Sequence, residues 1–457
     1  MITTTAAYKT AIKEPARNIK PKVEIYFDGE SSPATELGSA NIAGIDFLNE
    51  TQADGGTPLG VVSSDEILLT LRNDENQFLA GNASGPYYGK LLPNIKIIPY
   101  YGLQLADETF EWLSLGEYWT TDWDVNSGDA FATVNCQDRL FKLGEKDIPL
   151  IPTAEDSTRY QVWETLFNAI GLTASDYDIE ASLANDTVPI VYYSKGKVRN
   201  AMTELAEAFN CNATVGRNGK IIVTVNSTLS ASVLTMQDTD LIYTSNMPQK
   251  FSNVYSEVKV QSNQPTVKTS QSILNVEGVN IPSTGRTLDE LAFSSAPSAF
   301  IEYIKIPKST HLSINSISIG AQGITLNINN DVSAQKSVDV EIFGHPMGTI
   351  QDEVEVRDTP AYNKIGVKQL SIDNYLIQSN EEATIRATSI LTLVSDESAY
   401  VELSTRGDFS LELNDVITAI DTTNKLSSTE VVPTRYNYNY NGGLSCDIIS
   451  VKKSARE

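Results

Sequence analysis

Histidine is nearly absent: the chain carries two, His311 and His345, in 457 residues. Neither belongs to a His-x-x-x-His or Cys-x-x-Cys pattern, so zinc has no ligand set to occupy. A Ser or Cys nucleophile that relies on a His base would have to recruit one of these two. The pattern puts His311 at a strand start and His345 in a turn before Pro346, neither in a nucleophile elbow. Cysteine is almost as scarce. Cys136, Cys211 and Cys446 lie far apart, each in or beside a strand-like apolar stretch, which reads as three buried thiols rather than a disulfide framework and suits folding in a reducing cytosol. Positive charge is also in deficit: 34 basic residues face 58 acidic ones, for a formal charge of −24. No basic run is denser than Arg17 to Lys22 or Lys452-Lys453, so specific nucleic-acid binding is excluded as a function class. Long apolar runs are missing too. Nothing approaches the roughly eighteen apolar residues of a membrane span, and the opening Met1 to Lys9 lacks a signal-peptide core. The Gly55-Gly56 loop has neither the Lys-Ser/Thr ending nor the strand-to-helix setting of a phosphate cradle. No catalytic, metal-binding or cofactor-binding residue is assigned, and the chain reads as a non-enzyme.

What is present is short strands. With 41% hydrophobic and 20% charged residues the chain is a folded one, long enough for about three or four domains. Residues 1–21, polar and interrupted by Pro15 and Pro21, read as an N-terminal arm or a partner-binding extension. Strands follow at Lys22–Phe27, Ile67–Leu71, Ile95–Tyr101, Phe110–Leu113, Tyr118–Trp123 and Ala130–Cys136, so residues 22–147 form a first β-barrel. The period then changes. Ser157 or Thr158 opens a helix with Val162, Leu166, Ala169 and Ile170 on one face, and Gly171 ends it. A second helix runs from about Lys197 to Asn210, and Asn212–Val215 and Lys220–Val225 flank Arg217-Asn218-Gly219, a hairpin signal. Residues 148–235 are thus a small α/β domain.

Strand character returns at 236–261, most clearly in Asn253–Gln261. In 262–352 the composition shifts to Ser, Thr, Asn and Ile; Ile324–Ile328 alternates strictly, and Asn315-Ser316 breaks the phase between Leu312–Ile314 and Ile317–Ile319, which predicts a bulge. This stretch reads as a β-sandwich inserted into a second barrel made of 236–261 and 353–457. That barrel includes a helix over 380–394, with Ser379 as its cap, Glu382 reaching back in a capping box, and Ala383, Ala387, Ile390, Leu391 and Val394 facing a sheet. The fold expected is therefore mainly β: two β-barrel domains, an intervening helix-helix-hairpin domain and an inserted β-sandwich.

Three stretches carry a resemblance. Lys368-Gln-Leu-Ser-Ile-Asp-Asn-Tyr-Leu-Ile-Gln378 with its helix, then Arg406-Gly-Asp-Phe-Ser-Leu-Glu-Leu-Asn-Asp-Val-Ile417 and Tyr436-Asn-Tyr-Asn-Tyr-Asn-Gly-Gly-Leu444, is similar to the closing segment of phage tail hub proteins, the baseplate hub and tail-associated proteins of long-tailed phages and related injection machines. Tyr375 stands where that family has Pro, and Asn414-Asp415 where it has Gly-Asp; Asn is the residue after Gly that best tolerates the left-handed conformation. The segment from Trp112 through Leu-Gly-Glu-Tyr118 to Asp138-Arg-Leu140 resembles the family's first barrel. The run Ala201 to Cys211 with the hairpin after it resembles the unit between its barrels. The resemblance implies a structural virion protein at the tail tip, made in the host cytoplasm. Three copies would form a ring, two barrels each matching a sixfold tube, bound to tail tube, distal tail, tape measure and fibre or spike proteins during DNA ejection and host attachment. Negative charge would suit a duct that passes DNA without holding it.

Rival chemistry is weighed residue by residue. Glu111-Trp112, Glu117-Tyr118-Trp119 and Asp122-Trp123-Asp124 put carboxylates beside rings, as a glycosidase cleft requires. Strand alternation instead sends Asp122 to solvent and Trp119 and Trp123 to the core. Arg406-Gly407-Asp408 has the form of an adhesion tripeptide, yet a turn between strands explains its Gly. The Tyr and Asn row 436–440 could stack on sugars, but its alternation reads as a half-buried strand. The alternative function is a host-surface carbohydrate-binding or carbohydrate-cleaving tail protein, with 262–352 as the lectin-like part.

Overall fold

The computed structural model describes residues 1–51, 60, 62–126, 128–226, 229–248, 254–306, 311–396 and 399–455, and it is mainly β. It opens with helix α1 (Ala6–Ala11), whose cap Thr5 accepts the Tyr8 N–H at 3.1 Å. Tyr8 and Ile12, four residues apart, are both buried, and the Tyr8 hydroxyl donates to Asp408 at 3.1 Å while its ring meets Phe409 edge-on at 5.5 Å. The segment expected to be an arm for a partner is thus fastened to its own chain. Strand β1 (Ile19–Ile25) begins ahead of the expected Lys22.

The first half continues with β2 (Thr35–Leu37), β3 (Ile42–Glu50), β4 (Glu66–Arg72), β5 (Lys96–Gln104), β6 (Phe110–Ser114), β7 (Tyr118–Asp124) and β8 (Phe131–Gln137), followed by α2 (Arg139–Gly144). Alternation buries Ile45, Phe47, Ile67, Leu69, Ala132 and Val134 on one side. The middle unit contains β9 (Ala154–Thr158), α3 (Arg159–Ala169), β10 (Tyr177–Ile179), β11 (Thr187–Val191), α4 (Val198–Phe209), β12 (Cys211–Val215) and β13 (Ile221–Val225). Thr158 and Gln161 close a capping box at the start of α3, Asn210 ends α4 at φ 55°, and Gly219 turns the hairpin at φ 73°.

The second half starts with β14 (Leu234–Gln237) and β15 (Ile242–Asn246). Next come β16 (Glu257–Val267), β17 (Gln271–Ile281), β18 (Arg286–Ala292), β19 (Ser298–Lys305), β20 (Leu312–Ile319), β21 (Gly323–Asn330) and the long β22 (Lys336–Arg357). Strands β17, β22 and β19 form one layer of the insert, β18, β21 and β20 the other, and a separate apolar cluster around Ile273, Ile324, Leu326 and Ile342 lies between them. The register of β20 shifts between Ile314 and Ser316, where the residue phase breaks. Strand β22 serves two units: its first part pairs with β17 and β19, its second with β16 from Val267↔Met347 to Glu257↔Arg357. His345 therefore lies within a strand and not in the expected turn. The cause is the continuity of β22 through Pro346, where Ser298 pairs.

The chain ends with α5 (Thr359–Ile365), β23 (Gln369–Asp373), α6 (Asn380–Val394), β24 (Tyr400–Thr405), β25 (Ile417–Asp421), β26 (Leu426–Tyr440) and β27 (Leu444–Lys452). Here the grouping differs from the one drawn on the sequence. β16 and β23 pair with each other, α6 packs on β16 and β22, and Val258, Val260, Ile372, Ala387 and Ile390 share one core with α3 and α4. Glu382 makes no capping box with Ser379; its carboxylate takes the Arg159 guanidinium at 2.6 Å instead, an ion pair that docks α6 on the middle unit. The remaining strands of the two halves join a single 14-stranded sheet with a common core. Asn253, in the strand expected at 253–261, lies outside the described residues.

Candidate assembly surface

Strand order reveals a repeat. In the first half the sheet runs β3-β4-β8-β7-β5-β1, and in the second β15-β24-β27-β26-β25-β14. Position by position the two series take their strands from the same places in chain order, and only the last pair differs, β5–β1 being antiparallel and β25–β14 parallel. The second half closes on itself at one corner: Ser245 of β15 donates to Asp421 of β25 at 2.7 Å, and Asn424 donates to the Ser245 carbonyl at 2.9 Å. The halves are joined through β26 and β3, paired from Arg435↔Glu50 to Tyr440↔Ile45. Inside that seam Phe47 stacks on Tyr438 at 5.7 Å, and Tyr436 and Tyr438 are fully buried. Each such ring removed from water contributes about 2–3 kcal/mol.

Two devices anchor the middle unit, one to this sheet and one to β23 and α6. The hairpin between β12 and β13 inserts Arg217 between the halves, where it donates to the carbonyls of Phe409 and Leu411, the latter at 2.7 Å, and lies over the Phe47 ring at 5.8 Å. The corner Asn374 to Gln378 acts as a clamp. Asn374 donates to the Glu204 carbonyl at 2.8 Å and to Glu207 at 2.9 Å, Tyr375 to the Tyr192 carbonyl at 2.6 Å, and Gln378 exchanges bonds with Ile190. Residues that carried the resemblance thus tie β23 and α6 to α4 and β11.

The sheet's far side carries acidic and amide side chains beside Leu48 and Leu68. Asp46, Glu66, Asp122, Asn135 and Asn437 line a groove of about 350 Å³ across β26, β3, β4, β8 and β7. Asn439 donates to Asp46 across the seam. At β7 Asp122 and Asp124 are exposed and Trp123 packs on the core as expected, but the register shifts between Thr120 and Asp122, so Tyr118 and not Trp119 shares that core; Trp119 is buried apart from it, its indole N–H donating to Glu30 at 3.0 Å. Exposed Trp112 covers Gly102, where a Cβ would come within 2.7 Å of its ring.

Asp408 is 2% exposed and accepts from Tyr8 and from Ser410, so the Arg-Gly-Asp triplet is a buried turn with Gly407 at φ 76°. Asn414, at φ 68°, occupies the left-handed conformation. The three cysteines are free and buried. Gly55 and Gly56 lie outside the described residues. His345 stacks on Phe300 at 4.2 Å and accepts from or donates to nothing nearer than the Lys268 carbonyl at 2.9 Å, so the ring nitrogen there carries the proton. Among the described residues no group of three or more His, Cys, Asp or Glu could hold a metal.

One acid pair was not singled out on the sequence. Asp65 and Asp138 meet where the first half joins α2: the Asp65 N–H donates to Asp138 at 2.9 Å, and Asp138 caps α2 through the N–H groups of Leu140 and Phe141. Burial and then the Asp138 charge push the Asp65 carboxyl above its ordinary range, and burial pushes Asp138 up as well. Both side chains are fully buried and used up in backbone and Asn49 hydrogen bonds, so the pair is structural.

No protein-family model matches the sequence, and no curated protein matches it. The fold, however, is that of phage tail proteins. A 43 kDa tail protein of prophage MuSo2 from Shewanella oneidensis superposes with a TM-score of 0.54 at 11% identity, over 96% of this chain and 100% of that one. A tail protein from Neisseria meningitidis superposes with a TM-score of 0.54 at 8% identity, over 95% of this chain and 98% of that one.

Proposed function

We propose that the chain is a structural tail protein, the hub of a phage tail tip or baseplate, assembled as a ring of three. The observation that carries this reading is the repeated strand order within one continuous sheet. Three copies supply six similar units, which suits a sixfold tube without mismatch. The face with Asp46, Glu66 and Asp122 then lines the bore, where fixed negative charge repels phosphates in passing DNA. Tail tube and distal tail proteins bind one rim of the ring, and tape measure and fibre or spike proteins the other. The protein acts by assembly and not by catalysis, and its place is the virion tail tip after synthesis in the host cytoplasm. Light scattering and class-averaged electron micrographs of the purified protein test this: rings of three with six lobes support it, and dimers, tetramers or open fibres sink it.

A second reading concerns the insert. On the outer face of β19 and β22, Phe300 and Tyr303 are 48% and 47% exposed, and Tyr303 stacks on Phe343 at 4.7 Å. With Glu302 and Ser270 hydrogen-bonded beside them, these rings form a shelf of the kind on which sugars stack, giving the insert a carbohydrate-binding role at the host surface. Glycan-array binding that is lost in Tyr303→Ala with Phe300→Ala supports this role; unchanged binding, or none by the intact protein, removes it.

A further inference from the structure

Strand β19 of the insert carries an irregularity that decides which way its side chains point. Its register against β22 runs Phe300↔His345, Ile301↔Gly344 and then Tyr303↔Phe343, so Glu302 is an extra residue with no partner opposite it. Such a bulge breaks the alternation of faces and re-aims whatever follows it. Ile301 and Ile304 both pack against the core of the insert, while Phe300, Glu302 and Tyr303 all stay outside. Under plain alternation Tyr303 would share a face with Ile301 and point inwards. The bulge therefore builds the shelf, setting two rings and a carboxylate on one outer face.

Strand β19 is also an edge, paired with β22 and with no other strand among the described residues. Phe300 stacks on His345 and Tyr303 on Phe343, and both partners stand on β22, so each ring has one face covered and the other turned away from the sheet. Three residues of strand with a bulge among them set the two rings about 7–10 Å apart. Protection of an edge against strand pairing accounts for a bulge and a charge, but not for two half-exposed rings. The polar groups left over are acceptors. Glu302 Oε2 takes the Ser270 hydroxyl, and its Oε1 has no hydrogen-bond partner among the described residues. The neutral His345 ring donates through Nδ1 to the Lys268 carbonyl, so its Nε2, 3.9 Å from Glu302, offers a lone pair and no proton.

From this we infer that the shelf takes a linear, non-acidic polysaccharide lying along β19, with two of its sugar rings stacked on the outer faces of Phe300 and Tyr303 and a donor group between them bonded to Glu302. A single pyranose ring does not reach both platforms; linked sugars do. The donor is a hydroxyl or an amino group, the chemistry that neutral and amino sugars share. Uronic and other acidic sugars are turned away, because Glu302 repels their carboxylates and the neighbouring cation, Lys305, is already paired with Glu341 at 2.9 Å. The inference rests on the carbohydrate reading of the insert and specifies its ligand and the residue that selects it.

An array of linear oligosaccharides tests it, running from single sugars to hexamers in three series: neutral, amino-sugar and uronic-acid. Neutral or amino-sugar trimers are expected to bind about tenfold more tightly than the single sugars. Uronic-acid trimers are expected to bind about tenfold more weakly than neutral ones. Phe300→Ala and Tyr303→Ala, made singly, each abolish the gain with length. Glu302→Gln keeps an acceptor for Ser270 but removes the charge, and brings the uronic-acid and neutral series within about threefold of each other. Circular dichroism of each variant confirms that it is folded. Equal affinity for single sugars and trimers, a preference for uronic acids, or discrimination unchanged in Glu302→Gln overturns the inference; binding that is nonetheless lost when Phe300→Ala and Tyr303→Ala are combined leaves the shelf reading intact. An intact protein that binds no member of any series overturns both.

Discussion

Arg217 ties the middle unit to both halves of the sheet. Its guanidinium sits between the halves, hydrogen-bonded to the carbonyls of Phe409 and Leu411, with the Ser114 carbonyl at 3.5 Å on the other side. Replacement by Met keeps the length and the apolar stem but deletes two charge-assisted hydrogen bonds and leaves two carbonyls without their donor. Each such loss costs about 1.5–3 kcal/mol when the acceptor is buried. A groove of about 140 Å³ beside Asn49, Arg217 and Asn414 lets water replace part of the loss, so the lower end applies and the expected destabilisation is about 3 kcal/mol. Urea unfolding followed by tryptophan fluorescence reads it in a resolved way. Three of the four tryptophans, Trp112, Trp119 and Trp123, belong to the first half, and Trp163 is buried in the middle unit. The first-half transition should move to lower urea, and Arg217→Lys, which keeps one donor group but not the fork, should fall between. A shift below about 0.5 kcal/mol in Arg217→Met would refute the reasoning, because a surface arginine has an effect of that size.

Three further outcomes follow from the same geometry. The raised carboxyls of Asp65 and Asp138 mean that the folded state holds a proton which the unfolded chain releases near pH 4, so stability should fall as pH rises from about 4 to about 7. Asp65→Asn, which the Asn49 amide can accommodate by flipping, should flatten that slope in thermal melts; an unchanged slope refutes the assignment. Asp408→Ala leaves the Tyr8 hydroxyl and the Ser410 N–H without an acceptor and should lower stability by about 2–3 kcal/mol in urea titration, with no effect on cell adhesion. Because Val267 and Met347 are cross-strand partners, residues 268–346 can be replaced by a two-residue Asn-Gly turn. The shortened chain should stay monodisperse with the rest folded, since the insert has its own core; aggregation would show that the insert stabilises the rest.

Much of this architecture was legible because it is local. The Thr158 cap, the Asn218-Gly219 hairpin, the stripe of Ala383, Ala387 and Ile390 and the phase break at Asn315-Ser316 depend on neighbours a few residues apart, and each stands where its spacing put it. The same holds for Asp122 facing water and Tyr436 facing the core, since a strand alternates with period two. Other features were illegible because their causes lie far along the chain. Glu382 looked like half of a capping box until Arg159, 223 residues away, claimed its carboxylate. His345 looked like part of a turn because Pro346 follows it, and only the pairing of β22 with β19 shows that a strand runs through. Residues 1–21 looked like an arm because their polar composition hides two apolar side chains, Tyr8 and Ile12, that fit the pocket beside Phe409.

By itself the sequence determined the elements, the side of each that is apolar, the acidic surface and the scarcity of histidine and cysteine. All of these are properties of composition and short-range period. Tertiary structure alone decided which strands are neighbours: that β26 meets β3, that α6 rests on the middle unit, and that the two halves share one strand order although no repeat is visible in their residues. Strand pairing is set by backbone hydrogen bonds, which every residue but proline can make, so a fold can be repeated while the side chains that once matched drift apart.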